Sequence, residues 1–94
     1  MIRLNAFIKV KDENRRDEVL AAARRLTEAS LKQEGCIAYD IFESATRRDV
    51  MMFCETWRDQ AALDAHATSD VFVKETKLIH DIADLKLERL SFDR

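Results

Sequence analysis

The chain has 94 residues, with 16 Lys and Arg against 18 Asp and Glu, a formal charge of -2, and 47% hydrophobic and 36% charged residues. That balance argues against a surface built to neutralise many phosphates, as nucleic-acid binding requires. The apolar runs are only a few residues long, against the roughly 18 needed to span a bilayer, and Met1-Ile2-Arg3 leads straight into a strand instead of a signal peptide. The expectation is a cytoplasmic protein of one domain, residues 1–94, which buries roughly 60 to 70 per cent of its unfolded surface and engages neither nucleic acid nor membrane.

Ile2 to Val10 alternates, with Ile2, Leu4, Ala6, Ile8 and Val10 on one face and Arg3, Asn5, Phe7 and Lys9 on the other, and reads as a strand. Asn5, polar and central, shares its face with Phe7; it is either solvent-facing or placed to hold a substrate oxygen. Asp12 or Asn14 can cap the next element, a helix over about 14–33 in which Val19, Ala22, Ala23, Leu26, Ala29 and Ser30 follow helical spacing. Its outer Arg15, Arg16, Arg24, Arg25, Glu28 and Lys32 read as solvated charge. Gly35, the only glycine, is expected to end the helix in the left-handed conformation.

Residues 36–43 and 50–57 are rich in Ile, Tyr, Phe, Val and Met and form a predicted hairpin joined by Ser44-Ala45-Thr46-Arg47-Arg48-Asp49. A turn near Thr46 and Arg47 places Cys36 opposite Trp57 or Arg58 and Cys54 opposite Tyr39 or Asp40, so the sulfurs are out of step for a disulfide. Two cysteines without CxxC spacing and only two histidines, His66 and His80, speak against a structural zinc site; no metal is expected. Met51, Phe53, Glu55 and Trp57 share one face of their strand, and Ile37, Tyr39 and Ile41 one face of theirs. Such an aromatic stripe is more often core than cofactor box, and no Gly-rich phosphate loop suggests a nucleotide.

Asp59 can cap a helix whose Ala62, Leu63 and His66 share a face, so the imidazole is directed inward either as packing or as a functional group. Ser69 or Asp70 caps another helix, with Phe72, Thr76 and Ile79 recurring on one side. Ile82 to Phe92 then alternates Leu85 and Leu87 against Asp84, Lys86 and Glu88 as the last strand. The order β-α-β-β-α-β defines an α+β, ferredoxin-like plan: one antiparallel sheet with helices on one face. Both faces of these strands carry apolar residues, which marks the uncovered face as a partner site.

Two blocks carry a family resemblance. Glu55-x-Trp57 with Ala62-Leu63-x-x-His66 and Ser69-x-x-Phe72, together with Glu34-Gly35-Cys36-x-x-Tyr39, resembles the antibiotic biosynthesis monooxygenase family. With the matching order of elements, the resemblance covers nearly the whole chain. It implies a homodimeric α/β barrel, sheet facing sheet with the C-terminal strand crossing over, and a cofactor-independent oxygenase for a small aromatic substrate such as a quinol or naphthol. A phenolate can itself reduce dioxygen, so the protein need supply only a dry pocket, a base, and donors for the developing oxyanion.

His66 is then the expected base, its ordinary pKa of about 6.5 suiting proton abstraction near neutrality. Asn5 and the Trp57 indole are the expected donors, and Tyr39, Glu55, Phe53 and Phe72 the expected substrate-binding residues. Other relatives this chain resembles suggest an isomerase of an autoinducer-like keto compound, or haem degradation. The haem-ligating histidine of those relatives corresponds to about Thr76, which cannot ligate iron, whereas Asn5 and Trp57 do match those relatives, so the resemblance weakens the haem reading without removing it. A non-catalytic dimer that binds a small hydrophobic molecule is a further alternative.

Overall fold

The structure is a computed structural model, and it describes residues 1–92. Strand β1 (Ile2–Val10) is followed by a short 3-10 turn, Glu13–Arg15, and helix α1 (Arg16–Ser30). Strands β2 (Cys36–Glu43) and β3 (Val50–Trp57), helices α2 (Gln60–Ala67) and α3 (Asp70–Ile82) and strand β4 (Ala83–Ser91) complete it. The single sheet has the order β2-β3-β1-β4 and every pairing is antiparallel. This is the ferredoxin-like plan, with its second helical segment divided into α2 and α3.

The divisions follow local chemistry. Asp12 Oδ1 accepts the Asn14 N–H at 3.0 Å, so the first turn is wound as a 3-10 segment and the α-helix proper starts two residues later than its periodicity suggests. The helix also stops early, at Ser30, and residues 31–35 close it with short-range bonds such as Gln33 N–H to Ser30 C=O at 3.0 Å. Gly35 then takes φ +80°, and a Cβ there would lie 2.4 Å from the Ala62 Cβ. Glycine is thus required for two reasons, the backbone conformation and the close approach of α2. The Gly35 carbonyl accepts the Arg58 N–H at 2.8 Å, which ties the start of β2 to the entry of α2.

Register decides which residues share a face. Leu4 pairs with Glu55, Ala6 with Phe53 and Ile2 with Trp57, while Tyr39 pairs with Glu55. These positions face the helices, where Ile2, Ala6, Ile8, Val10, Tyr39, Met51, Phe53 and Trp57 meet Val19, Ala22, Ala23 and Leu26 of α1 and Ile79 and Ile82 of α3. Fully burying one such aliphatic or aromatic side chain contributes about 1.5–3 kcal/mol. The pairing shifts by one residue between Cys36 and Ala38, so Ile37 is an extra, unpaired residue and is half exposed. This bulge breaks the shared face expected of Ile37, Tyr39 and Ile41. Cys36 stands opposite Trp57 and Cys54 opposite Asp40, and both thiols are free.

The opposite face carries Arg3, Asn5, Phe7 and Lys9 of β1 with Met52, Cys54 and Thr56 of β3, and no helix of the described residues covers it. Phe7, Phe42 and Leu90 are 41%, 50% and 53% exposed there. Among the described residues no helix is long and apolar enough to cross a membrane.

Candidate active site

Two caps set up the site. Asp59 Oδ1 accepts the Ala62 N–H at 2.9 Å and starts α2, and Ser69 Oγ accepts the Phe72 N–H at 3.4 Å and starts α3. Between them, in the last turn of α2, His66 points inward as its register with Ala62 and Leu63 predicts and is only 2% exposed. Aromatic rings enclose it: Trp57 at 4.5 Å between centroids and inclined 34°, Phe72 edge-on at 4.9 Å, and Tyr39 tilted at 5.5 Å.

The two ring nitrogens have different surroundings. Nδ1 lies 2.7 Å from Gln33 Oε1 and 3.5 Å from Ser30 Oγ. Nε2 is buried with no hydrogen-bond partner, and the nearest acidic atom is Glu55 Oε1 at 4.0 Å. Glu55 is itself buried; its Oε1 accepts the Trp57 indole N–H at 2.8 Å, and Tyr39 stands opposite it across the β2–β3 ladder.

Burial dominates the electrostatics. It lowers the His66 pKa from 6.5 to about 4, and it raises that of Glu55 despite the opposing hydrogen bond from Trp57. Burial, then the neighbouring Glu55, pushes the Tyr39 hydroxyl well above its ordinary value. The 4.0 Å contact between Glu55 and His66 is an ion pair only when the ring is protonated, which burial opposes.

These groups end a cavity of about 490 Å³ between the sheet and α2 and α3. Leu4, Ala6, Leu26, Phe53, Leu63 and Phe72 make its apolar wall and Tyr39, Glu55 and His66 its polar inner end. Exposed Gln60, Asp64, His80 and Arg89 line the outer part, where Gln60 joins Arg89 and Asp64 by bonds of 2.6 and 2.7 Å.

Of the residues singled out from the sequence, His66, Tyr39, Glu55, Phe53 and Phe72 come together around this cavity. Trp57 does not reach its surface: the side chain is fully buried behind His66 and its N–H is committed to Glu55, so it holds the carboxyl in place and is not free to meet a substrate oxygen. Asn5 is not brought to the site at all. It alternates with Leu4 and Ala6, both in the cavity wall, so it must project from the other face, where its amide donates to Glu88 Oε1 at 3.0 Å.

Sequence reasoning missed Gln33, Ser30 and Ser69 as partners of His66, and Gln60, His80 and Arg89 in the outer wall. His80 was within reach, since Phe72, Thr76 and His80 recur at four-residue steps on one side of α3. Thr76 also lines the cavity, its hydroxyl donating to the Phe72 carbonyl at 2.6 Å. No local pattern announces Gln33, which lies in the turn after α1, 33 residues from its partner. Among the described residues no group of three or more His, Cys, Asp or Glu is arranged to hold a metal ion.

The family model for antibiotic biosynthesis monooxygenase matches residues 1–74. The Bacillus subtilis (strain 168) protein named "Putative monooxygenase YcnE" is 41% identical over 66 residues, which are 70% of this chain and 68% of that one. A crystal structure from Bacteroides thetaiotaomicron VPI-5482, described as a conserved protein of unknown function and possible oxidoreductase, is 49% identical. It superposes with a TM-score of 0.93 over 97% of this chain and 96% of its own. A crystal structure of an antibiotic biosynthesis monooxygenase is 28% identical and matches over the whole of both chains with a TM-score of 0.90. Together these similarities support a monooxygenase-like function.

Proposed function

We propose that this chain, which belongs to the antibiotic biosynthesis monooxygenase family, oxidises a small hydroxylated aromatic of the quinol or naphthol kind with dioxygen and without a cofactor. One observation carries the reading. His66 Nε2 is a buried nitrogen with no partner, beside a buried carboxyl, at the inner end of an apolar cavity. Unpaired buried polar atoms are uncommon and costly, and at the end of a pocket one marks the place where a ligand supplies the missing bond.

A substrate hydroxyl seated at that end hands its proton to His66 Nε2, with the Glu55 carboxyl beside it. The imidazole is neutral at any pH well above about 4, so it is available as an acceptor throughout the physiological range. Burial holds its proton affinity low. A phenolate formed alongside raises that affinity by attraction across a medium of low dielectric constant. The ionised ring then gives electrons to dioxygen, a C–O bond forms at a ring carbon bearing hydrogen, and loss of water from the hydroperoxide leaves a quinone carbonyl. One oxygen atom enters the product and the other leaves as water. The apolar walls keep bulk water from quenching the anion, and Tyr39, Phe53 and Phe72 bind the ring.

The test is oxygen uptake with a panel of quinols and naphthols, corrected for autoxidation and followed by mass spectrometry under labelled dioxygen. Incorporation of one labelled atom per turnover is expected. Binding of these compounds without oxygen consumption would instead make the protein a carrier, with His66 as packing.

The protein's own partner in this reading is a second copy, docked on the uncovered sheet face into an α/β barrel. Phe7, Phe42 and Leu90 are half exposed on that face, and a dimer would take their apolar surface out of water.

A further inference from the structure

We propose that Gln33 is a positioning residue that fixes the tautomer of His66, and that Ser69 fixes Gln33; the inference rests on the reading of His66 as the base only for its consequence in turnover. Hydrogen-bond polarity carries the argument. A backbone carbonyl can only accept, so in the 2.6 Å contact between Ser69 Oγ and the His66 C=O the serine hydroxyl is the donor. With its proton committed, Ser69 Oγ is an acceptor toward its other neighbours, the Phe72 N–H and the side-chain amide of Gln33 at 3.2 Å. The atom of Gln33 that faces Ser69 is therefore its NH2 group, and Oε1 is turned to His66 Nδ1 at 2.7 Å. An amide oxygen has no proton to give, so the proton in that bond belongs to Nδ1.

A neutral imidazole carries one N–H. Placing it on Nδ1 leaves the unpartnered Nε2 with a lone pair, the form in which it can take a proton. The other group near Nδ1, Ser30 Oγ, is a weaker partner at 3.5 Å, against 2.7 Å for Gln33 Oε1. The lock thus begins at the carbonyl of His66 itself: Ser69, held by being the first residue of the cap of α3, reads the backbone of the residue whose side chain Gln33 orients. The device resembles the use of a carboxylate to hold a catalytic imidazole. An amide does so without adding charge, which suits a cavity where burial already opposes ionisation.

The experiment is nitrogen-15 NMR of the His66 ring in the resting protein at pH 7, with long-range proton correlations, for the wild type and for Gln33→Met and Gln33→Glu. The wild type should show a pyrrole-like Nδ1 and a pyridine-like Nε2. Gln33→Met removes the acceptor and should bring in the Nε2–H form. Gln33→Glu restores an acceptor and should return the wild-type tautomer while moving the ring's titration to higher pH, against the existing background of Glu55 and Tyr39. A wild-type Nε2–H tautomer, or an unchanged Nδ1–H tautomer in Gln33→Met, would overturn the assignment. A denaturation midpoint for each variant separates loss of the lock from loss of the fold, and the near-isosteric Gln33→Glu gives an answer even where Gln33→Met unfolds. With 1,4-dihydroxynaphthalene as the probe for turnover, Gln33→Met should lose about 10- to 100-fold in rate. If the tautomer changes as expected and turnover does not, the lock stands and the assignment of His66 as base fails.

Discussion

The two faces of the sheet are made by the same strands and differ in what lies over them. On one face Glu55 and Tyr39 are roofed by α2 and α3, His66 of α2 packs down against them, and burial opposes ionisation of all three. On the other, which no helix covers in the single chain, Asn5 donates to Glu88 Oε1 at an ordinary 3.0 Å. A single step along β1, from Leu4 to Asn5, crosses from one regime to the other. A polar group under the helices is costly unless it is paired or used, whereas one on the uncovered face needs no role.

The sharpest way to break this contrast is at His66. Because the ring is fully enclosed by Trp57, Phe72 and Tyr39, truncation to alanine would leave a cavity and lower stability as well as activity. His66→Gln, closer in volume, should keep the fold and lower quinol turnover by about 10² to 10⁴, the usual contribution of a positioned base. Retained turnover in a folded His66→Gln would return His66 to the core.

Next in size is the joint that lets α2 close over the covered face. Gly35→Val meets both an unfavourable positive φ and the Ala62 side chain, and should cost about 2–5 kcal/mol in a denaturant titration. Gly35→Ala combined with Ala62→Gly removes the clash and should recover part of the loss suffered by Gly35→Ala alone. No recovery would assign the whole effect to the backbone.

On the uncovered face the corresponding change is Phe7→Glu. It should weaken self-association about 10- to 100-fold, read by sedimentation as a shift from the mass of two chains toward one. A wild type that sediments as a single chain at micromolar concentration would remove the dimer from the proposal altogether.

A smaller effect follows from the depressed pKa of His66. Between pH 6.5 and about 4 the unfolded chain binds the proton that the folded ring refuses, so this contribution to stability is complete above pH 6.5 and is lost on acidification through that window. Glu55, raised by burial, acts with the opposite sign: its contribution is lost as pH rises through its folded-state value. The two are separated by comparing variants. From pH 7 to pH 4, the stability of wild type should fall relative to His66→Gln by on the order of 2 kcal/mol. Parallel pH curves would show that the ring titrates normally.

The smallest effect belongs to Asn5. Asn5→Ala should change the stability of the single chain by less than about 0.5 kcal/mol and turnover by less than about twofold, as for polar pairs exposed in the single chain. A large loss of activity would mean that the uncovered face takes part in the reaction.

Much was determined by sequence alone. Alternation in β1 and β3 sorted Leu4, Ala6, Phe53 and Glu55 from Asn5, Phe7, Met52 and Cys54; Asp59 marked one helix start and Ser69 or Asp70 the next; Gly35 marked a left-handed turn; and hairpin register kept the cysteines apart. All of these are relations between near neighbours or across one hairpin, where covalent geometry and the two-residue or 3.6-residue period suffice. Only the tertiary structure decided which face the helices roof, and with it that Asn5 points away from the cavity, that the Trp57 indole is spent on Glu55, and that Gln33 reaches His66. It also decided the protonation of the site. Desolvation and long-range hydrogen bonds arise when elements distant in sequence pack together, and no periodicity within an element records what will come to lie over it.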